Sequence, residues 1–232
     1  MTIVIAHRGA SHAAPENTLD AFRRAVAMGA DGIELDVRRS ADDVLVVHHD
    51  GHLADGRPVR EVRAAELPEH VPTLAAALDA CAGAFVNVEI KNDRADPDFD
   101  PHDWVAHRTV LELLGRGADP RWLVSSFRLR TVDVVRQLAP RVRTAWLVME
   151  ADAGVLERTA ARGHVAVHPF VDTVDEKTIR AAHAHGLAVN TWTCDDADQM
   201  RRLIAWGIDG ICTNVPDRAL AVRCELLRPP GP

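Results

Sequence analysis

The sequence predicts an α/β protein of the (β/α)8 TIM-barrel class, with a β-hairpin excursion after its second strand. Three observations lead there. Apolar runs of strand length alternate with amphipathic helical patterns eight times along the chain. Charged and imidazole side chains stand at the downstream ends of several runs, where a parallel α/β protein builds its active site. The length of 232 residues also matches the roughly 250 residues typical of one such barrel.

The predicted strands cover residues 3–6, 32–37, 85–90, 122–126, 143–148, 164–168, 187–192 and 208–213. The predicted helices cover 19–28 after an Asn17 cap, then 74–81, 104–114, 129–138, 153–161, 176–185, 197–206 and 218–226. A ninth strand-like run, 44–47, follows Val37 too closely for a parallel crossover, which needs about a dozen residues. It is therefore expected to return antiparallel through Ala41-Asp42-Asp43, which sets His49 level with Glu34. Residues 1–227 read as one barrel domain and 228–232 as a flexible C-terminal tail. The loop at 92–101 lies on the active-site side, where it could serve as a lid.

Bulk properties exclude several functions. A net charge of −7 argues against a nucleic-acid partner, which needs concentrated Lys and Arg. No stretch approaches the roughly 20 apolar residues of a membrane span. The N-terminal residues run straight into a strand rather than a cleavable signal, so the protein is expected to be cytoplasmic. Cys81, Cys194, Cys212 and Cys224 are too widely spaced for a Cys-x-x-Cys pair and are expected as reduced, buried thiols. The chain has 25 Arg but only two Lys, Lys91 and Lys177. Arg is its default cation, so Lys91 beside Glu89 reads as a position that requires a compact point charge.

Alternation within the strands gives the polar groups a direction. Glu34 and Asp36 share one face of the second strand, and Asn87, Glu89 and Lys91 share one face of the third. The apolar faces must pack on helices, so the polar faces look into the barrel mouth. Glu34, Asp36 and Glu89 then form a hard-oxygen ligand set for one divalent cation, Mg2+ or Ca2+, with Mn2+ also compatible. The plainer alternative is that they are paired with Arg8, Arg38 and Lys91. His7 and His49 are the candidate acid and base, because imidazole titrates near neutrality. His48 rivals His49 but has the opposite strand parity, and His168 faces the mouth without an assigned purpose. Arg8 and Lys91 would neutralise phosphate oxygens. Trp192 would wall the pocket against a small polyol, or simply pack.

The ordered set His7-Arg8-Gly9, Pro15-Glu16-Asn17-Thr18, Glu34-Leu35-Asp36-Val37, His49-Asp50, Val88-Glu89-Ile90-Lys91, Ser126-Phe127, Trp192-Thr193 and Gly210-Ile211-Cys212-Thr213 resembles the glycerophosphodiester phosphodiesterase family over nearly the whole chain. The resemblance implies a barrel enzyme that cleaves glycerophosphodiesters, such as glycerophosphocholine or glycerophosphoethanolamine, to glycerol 3-phosphate and an alcohol. By position it implies His7 and His49 as the catalytic pair and Glu34, Asp36 and Glu89 as metal ligands. It places Arg8 and Lys91 on the phosphate and Trp192 at the substrate pocket. Attack by the neighbouring glycerol hydroxyl and attack by water both stay open. Two departures stand out: Asn214 replaces the Asp usual in the family, and the stretch after Asp50 is short. Competing readings are a lysophospholipase D-like phosphodiesterase, a non-catalytic barrel that binds a phosphorylated ligand, and a proton-abstraction enzyme of the enolase kind.

Overall fold

The computed structural model describes residues 1–117 and 120–227, so the predicted tail at 228–232 lies outside the described residues. Eight parallel strands close into a barrel. They are β1 (Ile3–Ala6), β2 (Gly32–Arg39), β4 (Phe85–Ile90), β5 (Trp122–Ser126), β6 (Arg143–Val148), β7 (Ala166–Pro169), β8 (Ala188–Thr191) and β9 (Gly210–Thr213). Closure comes from β1, which pairs with β2 on one side and β9 on the other, Ile5 lying against both Gly32 and Cys212. The helices α1 (Leu19–Met28), α2 (Leu74–Ala80), α3 (Trp104–Gly115), α4 (Leu129–Leu138), α5 (Ala153–Ala161), α6 (Glu176–Ala184), α7 (Ala197–Ala205) and α8 (Pro216–Leu227) follow the strands in turn. Among the described residues no helix is long and apolar enough to cross a membrane.

The ninth strand, β3 (Leu45–Val47), pairs antiparallel with β2 as expected for a hairpin. The register is one residue away from the predicted one. Val37 faces Val47, and the backbone N–H of His48 donates to Asp36 O at 3.0 Å. Strand parity therefore does not bring His49 inward; the chain does so by leaving the ladder after His48.

Two apolar cores fill the space between barrel and helices. One joins Phe22 of α1, Leu74 and Leu78 of α2, and Leu113 of α3 to the outer faces of β2 and β4. The other joins Leu156 of α5, Ile179 of α6, Met200 and Leu203 of α7 and Val222 of α8 to β7, β8 and β9. Inside the barrel, Leu123, Ala145 and Ala166 form an apolar plug below the mouth. Caps start several helices at defined residues. Thr18, rather than Asn17, caps α1 by accepting from Ala21 N at 3.2 Å, a contact whose removal costs about 1 kcal/mol in typical helices. Asn17 is thereby left for another task. Cys81, Cys194 and Cys212 are free and buried as expected, whereas Cys224 is exposed on α8.

Candidate active site

The site begins where β1 and β2 end. Arg8 and Gly9 both adopt left-handed backbone conformations, with φ of 56° and 83°. A Cβ on Gly9 would lie 2.6 Å from the backbone of Ala21, so only glycine lets this turn pack on α1. The turn aims the Arg8 N–H at Glu34 Oε2, 3.0 Å away, while the guanidinium donates to both oxygens of Glu16 and lies 3.2 Å from Asp36. Asn17, also left-handed, donates through Nδ2 to Asp36 Oδ2 at 2.8 Å. The helix-start sequence Pro15-Glu16-Asn17-Thr18 thus orients one cation and one carboxylate of the site.

Parallel pairing sets Glu34 beside Asn87 and Asp36 beside Glu89. Ligand atoms of Glu34, Asp36 and Glu89 all lie within 4.8 Å of one another, and all three residues are buried. Only two of the suggested cations meet this cluster. Lys91 Nζ stands 2.7 Å from Glu89 and 3.3 Å from Asp36, and Arg8 reaches Asp36; Arg38 points elsewhere. Simple pairing therefore leaves one negative charge over. Burial works against ionised Asp36, yet Lys91 and Arg8 hold its carboxyl below the ordinary range. Glu34 has no such balance. Burial, with Asp36 and Glu89 as like-charged neighbours, pushes its carboxyl well above the usual value. Its Oε1 has no hydrogen-bond partner among the described residues. An uncompensated, unpartnered carboxylate oxygen among three hard donors is what a divalent cation fits.

Two imidazoles flank the cluster, each with its Nδ1 engaged from behind. His7 Nδ1 lies 2.8 Å from Asn214 Oδ1, an acceptor, so the ring carries its proton there and turns Nε2 toward Glu34 Oε2, 4.0 Å away. Asn214 is fixed in turn by Asp195, which accepts from its Nδ2 at 2.7 Å and its backbone N–H at 2.8 Å. The carboxylate missing from position 214 is thus supplied by Asp195, which backs Asn214. Burial, then the charge of Arg8, lowers the His7 pKa and favours the neutral ring. His49 Nδ1 lies 2.7 Å from Asp50 Oδ1, which leaves its Nε2 for the cavity. The Nδ1 of His48 lies 2.9 Å from Asp50 O, and His48 does not line the cavity.

The cavity has an empty volume of about 470 Å3 and is lined by His7, Arg8, Glu34, His49, Glu89, Lys91 and Trp192, among others. Asp36 sits behind this lining at 1% exposure. Opposite the charged groups, Trp192 donates from Nε1 to His168 O at 2.9 Å and is held between Phe127 and Phe170, each ring centroid 5.4 Å away. Below lies a polar floor. Asn190 Nδ2 lies 3.0 Å from His168 Nε2, burial pushes the His168 pKa down to about 3, and the buried Asn87 Oδ1 has no partner among the described residues. A second groove, sharing His49, Glu89, Lys91 and Phe127, opens outward past Asp50, Asp93 and Asp96.

Sequence reading gave no role to Glu16, Asn17, Asn190, Asp195 or Asn214 in orienting the site. The Pro-Glu-Asn-Thr string and the departure at Asn214 were the visible signals; the roles themselves depend on contacts spanning up to 207 residues.

A (β/α)8 barrel that gathers an acidic triad, two imidazoles and two cations at its mouth has the constitution of a hydrolytic barrel enzyme. The chain belongs to the Glycerophosphoryl diester phosphodiesterase family, whose profile matches residues 7–218. It is 30% identical over 240 residues to a glycerophosphodiester phosphodiesterase of Caldanaerobacter subterraneus subsp. tengcongensis, covering 93% of this chain and 95% of that protein. A putative glycerophosphoryl diester phosphodiesterase from Silicibacter pomeroyi superposes with a TM-score of 0.87 at 27% identity, covering 97% of this chain and 94% of the other. A phosphodiesterase from Oleispira antarctica, solved with the product sn-glycerol-3-phosphate, shares the fold with a TM-score of 0.88 at 24% identity and 97% coverage of both chains.

Proposed function

We propose that this protein hydrolyses glycerophosphodiesters such as glycerophosphocholine or glycerophosphoethanolamine to glycerol 3-phosphate and an alcohol. Glu34, Asp36 and Glu89 would hold one divalent cation, Mg2+, Ca2+ or Mn2+. The observation that carries this reading is the unpartnered Glu34 oxygen in an acidic triad flanked by two imidazoles whose Nε2 atoms are free of the backing contacts. When bound, the cation supplies Lewis-acid stabilisation of the phosphoryl oxygens.

The chain's own groups do the rest. Burial alone would lower the Lys91 pKa, but Glu89 and Asp36 raise it above the ordinary range, so Lys91 stays cationic toward phosphate. Arg8 adds a second positive charge from the opposite side. One imidazole takes the proton of the attacking hydroxyl, from water or from the glycerol itself, and the other donates to the departing alkoxide; where the glycerol hydroxyl attacks, water then opens the cyclic phosphate to glycerol 3-phosphate. Trp192 and the Asn87–His168–Asn190 floor suit the glycerol half, since the Asn87 carbonyl wants a hydroxyl donor. The alcohol then faces the outward groove.

The test is release of glycerol 3-phosphate from glycerophosphocholine by purified protein, first with EDTA and then with Mg2+, Mn2+ or Ca2+ restored. Metal-restored release that His49→Ala lowers at least about a hundredfold is expected. No release from any glycerophosphodiester with any of these metals overturns the reading.

A further inference from the structure

Arg38 follows Asp36 by two residues on β2, yet its guanidinium turns away from the acidic triad. It is 2% exposed, among the largest buried side chains of the protein. Nε and Nη2 both donate to the backbone carbonyl of His49, at 2.9 and 2.7 Å. Nη1 donates to Asp98 Oδ1 at 2.5 Å and Nη2 to Asp96 Oδ2 at 3.1 Å. The Asp98 side chain is itself only 3% exposed, so the guanidinium's charge is answered inside the protein. A separate contact joins the same two segments. Gly51 packs so tightly on Pro97 that a Cβ at position 51 would lie 2.6 Å from the proline ring.

These contacts answer a positioning problem. β3 ends at Val47, so ladder bonds no longer hold the backbone at residue 49. The His49 ring is one-third exposed and is tied at Nδ1 only to the neighbouring Asp50, itself largely exposed. A general acid or base must be held within a fraction of an ångström of its proton. A planar fork with two donors on one oxygen fixes that oxygen in direction as well as distance, which a single ammonium cannot do.

We infer that Arg38 is a positioning residue for His49, and that Asp96 and Asp98 of the loop after β4 lock it in that role. The loop is thus an anchor for one of the two imidazoles, where the sequence suggested a lid. The inference rests on the reading of His49 as acid or base.

The variant Arg38→Lys keeps the charge and loses the fork. Its kcat should fall roughly a hundredfold with KM nearly constant, the scale at which a small misplacement of a reacting group is felt. Mn2+ affinity, measured by titration, should not change. In a His49→Ala background the same substitution should lower the residual rate by less than about twofold, because residues acting as a unit are not additive. Asp98→Asn, a milder change, should lower kcat about tenfold in the same non-additive way. Amide hydrogen exchange of residues 48–51 should rise at least about tenfold in Arg38→Lys, whatever the turnover.

A folded Arg38→Lys protein with wild-type kcat and unchanged exchange at 48–51 overturns the inference. So does an equal loss in the presence and absence of His49, which would mark a role in general stability. Wild-type protein inactive on every glycerophosphodiester would instead overturn the reading of the reaction, and the exchange measurement would still decide the clamp.

Discussion

The two sides of the barrel mouth are built from different chemistry. The side formed by β1, β2 and β4 with the hairpin carries His7, Arg8, Glu34, Asp36, His49, Glu89 and Lys91. The side formed by β5 to β9 carries Phe127, Leu147, His168, Asn190, Trp192 and Cys212, and its one titratable imidazole is kept neutral by burial. The apolar cores behind the barrel divide the strands differently, the first reaching β5 through Trp122 and Val124 and the second reaching β1 through Val4. The difference teaches a division of labour. Charges that must act together lie on adjacent strands, where parallel register fixes their spacing, while the facing wall shapes the cavity.

Substitutions on the two sides should therefore differ in kind. The largest effect is expected from Glu34→Gln, which removes the unbalanced carboxylate; activity should fall on the order of a thousandfold with weaker Mn2+ binding by titration. His49→Ala should lower turnover by a comparable factor, about a hundredfold to ten-thousandfold, with metal affinity intact. Equal Mn2+ affinity in both variants would break the assignment of ligands against acid and base.

Lys91→Arg follows, with kcat/KM expected to drop roughly a hundredfold despite the retained charge, since a planar fork cannot stand between Glu89 and Asp36 as a point charge does. Wild-type kinetics would mean that the rarity of Lys in this chain carries no functional information. Across the cavity, Trp192→Ala should raise KM about tenfold and leave kcat within a few-fold, as expected for loss of an aromatic wall. If kcat collapsed as far as in His49→Ala, the division between the two sides would be wrong.

The last effect is on stability and is felt only as the pH falls. His168 has a folded pKa of about 3 against 6.5 in a free side chain, so below pH 6.5 the unfolded chain takes up a proton that the folded one refuses. This stability term is complete above that value and is lost toward pH 3 at up to about 1.4 kcal/mol per pH unit. Melting curves between pH 7 and 4 should be less steep in pH for His168→Gln than for wild type. Parallel pH dependences would show that this ring protonates without cost.

The barrel was legible because its signals are local. Strand runs such as Phe85–Ile90 and Trp122–Ser126 carry their own apolar spacing, and their ends marked Glu34, Asp36, Glu89 and Lys91 as neighbours. His49 was placed near Glu34 for a partly mistaken reason, because where a strand stops is set by competing tertiary contacts and not by alternation. The supports of the site were not legible. Asp195 reads as one acid of an Asp-Asp pair before a helix, and Asp96 and Asp98 fall in the loop that the sequence suggests as a lid. Their meaning comes from partners, Asn214 and Arg38, that the chain brings to them from 19 and about 60 residues away.

The buried fork of Arg38 also bears on how this scaffold can be altered. Longer or differently shaped connections after β4 would reshape the outward groove, because that loop borders it. A transplanted loop without carboxylates at the positions of Asp96 and Asp98 would strand an ionised side chain in the interior, and any grafted segment must also leave room for the flat contact between Gly51 and Pro97. Recombination at this junction is thereby restricted to donors carrying the same pair of acids, or to exchanges that replace Arg38 together with the loop.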